Sequence, residues 1–266
     1  MSELRWGLSF DDVLLVPQYS EVDSRQDVNL STSISPNLKL NIPLIPTKMD
    51  TITGVDMAIK ISELGGIAIL PRFDTPESQA SKIRQIVKSG QRVLAAVGVK
   101  EGFLKRAKLL ITAGAIGINI DVAHGHMKKT IEATKALKQE FGDKITIISG
   151  ITSTYECARD LYQAGADSLL VGVGAGSICT TRIQTGFGVP SYTSLLETAK
   201  AAREFNKTFM PDAGIKNSGD IVKALGTGAC AIVAGNIFAG TEECPGNTVE
   251  IEGKKYKSYN GSASYT

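Results

Sequence analysis

"DSLLVGVGAGSICTTR" (167–182) runs from an unbroken apolar stretch into three glycines at alternate positions, then a Ser, a Cys and two Thr. Two folds put glycines directly after a buried strand. A dinucleotide-binding Rossmann unit needs G-x-G-x-x-G between strand and helix, with an acid about 20 residues on, at the end of the next strand. Here the pattern is G-x-G-x-G-S, and the acid at that distance, Glu197, falls inside the helical pattern "LLETAKAAREF". The other fold is a parallel barrel, whose strand ends use glycines to bring backbone close to a ligand.

The flanking sequence favours the barrel. Short apolar, β-branched runs occur at "IPLIPTKMD" (42–50), "GGIAIL" (65–70), "RVLAAVGV" (92–99) and "AIGINIDVAHG" (115–125). They continue at "KITIISG" (144–150), "DSLLVGVGAG" (167–176), "KTFMPDAG" (207–214) and "ACAIVAGN" (229–236). Between most of them lie segments with apolar residues at i, i+3 and i+4: "MAIKISELG", "ESQASKIRQIVKSG", "KKTIEATKALKQEFG", "YECARDLYQAG", "YTSLLETAKAAREFN" and "SGDIVKALGTG". Many end in Gly, which suits a left-handed helix cap. Strands that are apolar throughout, without alternation, suit a parallel sheet buried on both faces. Eight such strands alternating with helices predict an α/β fold, a (β/α)8 TIM barrel, although an open doubly wound sheet shares most of the pattern.

A barrel carries its chemistry at the C-terminal strand ends. Those ends read Thr47-Lys48-Met49-Asp50, Asp121-Val122-Ala123-His124-Gly125-His126, Ser149-Gly150, Gly174-Ala175-Gly176-Ser177, Asp212-Ala213-Gly214 and Gly235-Asn236. Three adjacent Gly-rich tips, on the sixth, seventh and eighth strands, predict a phosphate site built from backbone N–H groups. For any one of these glycines, ending a strand would be reason enough.

Composition narrows the function. With 266 residues, 42% of them hydrophobic and 21% charged, the chain can bury a substantial core. A net charge of +2 gives no electrostatic footprint for nucleic acid. No run approaches 18 apolar residues and "MSELRWGLSFDDVLL" has no signal-peptide pattern, so the expectation is a cytoplasmic protein without a membrane partner. The cysteines at 157, 179, 230 and 244 show no CxxC spacing for zinc. Cys179 stands out, because the hydroxyls and free amides of its loop would stabilise a thiolate. An ordinary thiol titrates at about 8.5, so a nucleophile needs that value lowered; on residue type alone a loop Cys is more often inert. Cys157, in a helical pattern, and Cys230, in a strand, read as core residues; Cys244, in "EECPG", reads as an exposed loop residue.

"GVGAGSICTTR" resembles the signature loop of the IMP dehydrogenase and GMP reductase family. Supporting motifs follow the family's order along essentially the whole chain: "LSFDDVLLVPQYS", "MDT" (49–51), "DVAHGH" (121–126), "PDAGI" (211–215), "AGNIFAGTEECPG" (234–246) and "YNGSAS" (259–264). The resemblance implies a (β/α)8 barrel in which Cys179 attacks C2 of a purine nucleotide. In the dehydrogenase, IMP then gives up a hydride to NAD and water releases XMP; in the reductase, GMP loses ammonia and NADPH delivers the hydride that gives IMP. It further implies that Thr181 lies near the reacting centre, that Ser177, Gly214, Gly235 and Tyr259 hold the phosphate, and that Asp212 holds the ribose. Met49, Asn236 and Gly261 complete the substrate set, and Asp121, Gly172 and Gly174 serve the cofactor. Carbonyls of Gly174, Gly176 and Cys179 would hold a potassium ion, and the assembly would be a homotetramer.

The chain departs from the family pattern in several places. Ala213 stands where the family has the first Gly of Asp-Gly-Gly; its amide is expected still to donate to phosphate, with its Cβ crowding the site. Ile151 replaces an Asn after the fifth strand. Lys48 takes a place usually held by a small or neutral residue, and is expected to point to solvent. Only 71–91 separates the second and third strands, so residues 1–266 read as a single catalytic barrel domain without the inserted tandem regulatory (CBS) pair. The sequence stops at "YNGSASYT", where the family's flap and last helix begin, so the barrel is expected to lack both. "LSFDDVLLVPQYS", "ELGGIAIL" and "AGTEECPG" favour the dehydrogenase; the missing insert, "RFDTPE", "GVKE" and "GSAS" lean towards the reductase. A nucleotide-binding pseudoenzyme is the third reading.

Overall fold

The structure is a computed structural model that describes residues 6–261. The "SAS" of the last motif lies outside the described residues, as does the start of the N-terminal stretch. An antiparallel hairpin comes first, β1 (Thr32–Ser35) and β2 (Leu38–Leu40). Strands and helices then alternate: β3 (Leu44–Pro46), α1 (Val55–Glu63), β4 (Ala68–Leu70), α2 (Pro76–Lys88), β5 (Val93–Val97), α3 (Phe103–Thr112), β6 (Gly117–Ile120) and α4 (Lys128–Phe141). The second half adds β7 (Thr146–Thr152), α5 (Tyr155–Gln163), β8 (Ser168–Val171), the short α6 (Thr181–Thr185), α7 (Ser191–Phe205), β9 (Thr208–Pro211), α8 (Ser218–Gly226) and β10 (Ile232–Ala234). A second hairpin, β11 (Thr248–Ile251) and β12 (Lys254–Lys257), ends the described elements. No helix among the described residues is long and apolar enough to cross a membrane.

All eight apolar runs therefore form strands, and the two faces of each strand explain why. Val93, Ala95 and Val97 of β5 pack outward against helices, while Leu94 and Ala96 turn into the barrel. Leu169 and Val171 of β8 face out and Leu170 faces in; β9 and β10 divide the same way at Phe209/Met210 and Ile232/Val233. With both faces buried, polar alternation is excluded, and each buried Leu or Ile contributes about 1.5–3 kcal/mol. Helix starts are fixed by side-chain caps: Thr75 accepts from the Ser78 amide, Thr154 from Cys157 and Asn217 from Asp220. Helix ends run into left-handed residues as the sequence suggested, Gly65 after α1 and Asn206 after α7 among them.

The ladder is parallel and continuous through six strands, in the order β4-β5-β6-β7-β8-β9. β10 pairs with β3 in a separate parallel pair, and a single bridge, Asp212 to Val233, joins it to the end of β9. Between β3 and β4 the amides of Asn41 and Ile42 bond instead to the Gly65 carbonyl. The strands follow the order of a TIM barrel, but the expected ladder does not close. After β10 no helix follows among the described residues.

The first hairpin plugs the N-terminal end of this barrel. Ile34, Leu38 and Leu40 join the interior cluster of Ile69, Leu94, Ile148, Leu170 and Met210. Hydroxyls fix the plug to the strand starts: Ser35 bonds Thr146 at 2.7 Å, and Thr32 donates to the Cys230 carbonyl at 2.6 Å. One end is sealed, so the C-terminal end alone is left for a ligand.

Candidate active site

Most of the residues singled out at strand ends, with Tyr259 and Gly261 from the segment after β12, meet at this open end; Ser149 does not, being buried with its hydroxyl against Thr134. Met49, Asp121, Gly172, Gly174, Gly176, Cys179, Thr181, Asp212, Gly235, Tyr259 and Gly261 line one cleft. Ser177, Gly214 and Asn236 line a smaller hollow beside it, sharing Gly235 and Tyr259 with the cleft. Lys216, which the sequence did not single out, also lines that hollow; its ammonium pairs with Asp11 at 3.1 Å.

The loop after β8 can form because glycine stands at its tightest point. Gly174 has φ +72, and a Cβ there would lie 2.7 Å from the Arg182 side chain. The Cys179 amide donates to the Gly176 carbonyl at 3.1 Å, which curls the loop so that the thiol faces the cleft. There the Cys179 thiol donates to Thr181 Oγ1 at 3.2 Å. The other three cysteines are unsuited to reaction. Burial pushes the Cys157 and Cys230 thiols up to about 11 and raises that of Cys244.

Tyr259 is brought back over the barrel by β11 and β12, whose turn at Glu252-Gly253 has positive φ at both residues, as a tight hairpin requires. Its hydroxyl would lie 2.6 Å from a Cβ at position 235, so glycine is needed there for the ring to approach. Burial raises the Tyr259 hydroxyl above its ordinary value, partly offset by a hydrogen bond with Ser177; it stays protonated at neutral pH.

Four expectations fail here. Lys48 does not point to solvent: it is 8% exposed, its ammonium bonds the Asp212 carboxylate, and it lies 3.6 Å from Asp121. Burial alone would discharge it, but the two carboxylates prevail and raise its pKa, so it remains a cation. Ala213 has φ +73, and its amide already donates to the Val233 carbonyl at 3.0 Å, so the amide is not free for an anion. Cys244 is buried, its thiol donating to the Phe238 carbonyl at 2.9 Å beside Ile52 and Met57. Cys230 packs against the interior cluster as a core residue but stands two residues before β10 and not in the strand, its amide bonded to the Phe209 carbonyl.

Arg72, at the end of β4, is a site residue the sequence reading missed. Its Nε donates to the Asp121 carboxylate at 3.0 Å and to the Asp121 carbonyl at 3.1 Å. The signal available was an arginine closing the second apolar run in "AILPRFD". Ile151 lines the cleft, so the rim is apolar where an amide was absent from the sequence. His126 faces away, paired with Asp160 at 3.0 Å.

The family model described as "IMP dehydrogenase / GMP reductase domain" matches residues 7–266. The chain is 38% identical to inosine-5'-monophosphate dehydrogenase of Cryptosporidium parvum, over 97% of this chain and 74% of that one. It is 31% identical to the Aquifex aeolicus protein of the same name, over 98% of this chain and 79% of that one. For the Nitrosopumilus maritimus protein of that name the identity is 29%, covering 98% and 81%. With the fold, the order of the motifs and these matches in agreement, the chain belongs to the IMP dehydrogenase / GMP reductase family.

Proposed function

We propose that this protein oxidises IMP to XMP with NAD through a covalent adduct on Cys179. The observation that carries the reading is one cleft in which a partly exposed thiol, a buried carboxylate and a small hollow lined by Gly214 and Gly235 adjoin. The phosphate sits in the hollow, on Ser177, Gly214, Gly235, Asn236 and Tyr259, and Gly261 lines the adjoining cleft on the substrate side. Asp212 accepts the ribose hydroxyls, and Met49 packs on the base. Cys179 gives up its proton and its sulfur forms a bond to C2, with Thr181 turning its hydroxyl to donate to the thiolate. A hydride leaves C2; water then attacks the same carbon, one of its protons passing to N3 and the other to solvent, and the carbon–sulfur bond breaks to release XMP and the thiolate.

Next to Cys179 the cleft has a second lobe walled by Val122, Ile151, Val173, Gly172 and Gly174, with Lys48, Asp121 and Asp212 also on it. An aliphatic wall beside a carboxylate suits a nicotinamide riboside, its ring on the wall and its hydroxyls on Asp121. When bound there, NAD accepts the hydride. Potassium would use the carbonyls of Gly174, Gly176 and Cys179; that of Gly176 is engaged by the Cys179 amide, so a cation site of three free carbonyls requires this loop to rearrange. A homotetramer in the cytoplasm is the assembly and location we infer from the resemblance. In support, the single chain leaves Trp6 95% and Tyr19 88% exposed on its N-terminal arm. We infer likewise that the chain is a single catalytic barrel domain.

The adduct can be trapped. Acid quenching of protein incubated with IMP and NAD, followed by peptide mass spectrometry, should find a purine nucleotide on Cys179. A nucleotide-free Cys179 in protein that turns over IMP would overturn the mechanism. The GMP reductase reading is tested in parallel by GMP with NADPH.

A further inference from the structure

Two carboxylates, Asp121 and Asp212, face one cleft, and two cations answer them. Arg72 reaches only Asp121, whereas Lys48 touches Asp212 and lies 3.6 Å from Asp121. These pairings are specific to an oxygen. Lys48 takes Oδ2 of Asp212, leaving Oδ1, whose neighbour is the Thr47 hydroxyl at 3.4 Å. Arg72 takes Oδ2 of Asp121, and Lys48 lies against Oδ1. An unanchored carboxylate rotates, and two of them in one partly buried cleft repel each other. The ammonium removes both freedoms at once. It reaches from the end of β3 to the ends of β6 and β9, so it ties together strands on different sides of the barrel mouth.

We propose that Lys48 is a positioning residue that sets Asp212 for the nucleotide ribose and Asp121 for the cofactor ribose, coupling the two subsites through one buried ammonium. The inference rests on the function proposed above. It makes Lys48 a determinant of binding and not of the chemical step, because the residue acts through the two carboxylates and stays protonated throughout. It also gives a physical meaning to a lysine where the family resemblance expects a small or neutral residue: this chain tunes its two ribose contacts by a shared cation.

The test is steady-state kinetics of the whole chain with Lys48→Met, Lys48→Gln and Lys48→Arg, each checked for an unchanged thermal transition. Removing the charge should raise KM for both IMP and NAD by about tenfold or more while kcat changes less than either KM. Lys48→Arg should restore both constants to within a few-fold of the parent. KM values within twofold of the parent in folded Lys48→Gln would overturn the proposal. So would a loss confined to kcat, which would put Lys48 in the chemistry, or a rise in only one KM, which would remove the coupling. If Lys48→Met does not fold, Lys48→Gln, close in shape and uncharged, carries the same readings; if neither uncharged variant folds, Lys48 is a structural ion and the proposal is lost. Calorimetric titration of the parent protein with IMP separates the two layers. Absence of binding there sinks the function itself, whereas binding equal in parent and variants sinks only the role of Lys48.

Discussion

The two ends of the barrel are closed by opposite means. At the N-terminal end, a hairpin presses Ile34, Leu38 and Leu40 into the interior and satisfies the strand starts through hydroxyls. At the C-terminal end the strand tips open on a cleft; Gly174, Gly214 and Gly235 leave room, and Lys48, Arg72, Asp121 and Asp212 form a charged quartet. The same apolar strands run between the two ends. Stability therefore concentrates at the sealed end and chemistry at the open one, and substitutions at the two should fail differently.

The sharpest separation comes from single substitutions at each end. Cys179→Ala should lower kcat by roughly 10³-fold or more, since it removes the nucleophile, while shifting stability by less than about 0.5 kcal/mol. Ile34→Ala should do the reverse, costing about 2–5 kcal/mol in denaturant unfolding with KM and kcat of the folded fraction kept. A barrel whose sealed end governed catalysis would mix these outcomes. Gly235→Ala should push Tyr259 off the hollow and weaken nucleotide binding by about tenfold, measured by titration, with a smaller effect on stability.

Lesser effects sharpen the picture. Ala213→Gly relieves a left-handed alanine but frees the unfolded chain, for a net stabilisation of about 0.5 kcal/mol. Nucleotide affinity should be unchanged, because the amide is held by Val233 in either case. Thiol alkylation followed by mass spectrometry between pH 7 and pH 9 should label Cys179 first. Cys157 and Cys230, with thiols raised to about 11, stay protonated across that window, and their labelling should climb about tenfold per pH unit. Saturating IMP should protect Cys179 and leave the slow thiols unaffected.

The strands were legible because burial on both faces leaves a signature that no solvent-facing strand shares, and the Gly-rich tips followed from them. The first hairpin was not legible: "TSIS" and "LKL" are too short to show a period, and their burial comes from the barrel they plug. The second hairpin is exposed throughout most of its length, and the alternation of Val249 and Ile251 is too short to read as a strand. Lys48 was misread because its partners stand 164 residues away at Asp212 and at Asp121, and a lone lysine defaults to water. Cys244 was misread from its polar neighbours in "EECPG", although the turn after Phe238 folds its thiol inward. The Lys48 failure turns on a long-range contact and the Cys244 failure on a turn six residues long, whereas each success rests on a repeated local pattern.

Absorbance at 340 nm tests the central claim most directly, with IMP and NAD in one cuvette and GMP and NADPH in another, each run with the parent and with Cys179→Ala. The account predicts a rise in the first that Cys179→Ala abolishes, and no change in the second. A fall in the second that depends on Cys179, a rise that survives the substitution, or silence in both would contradict it.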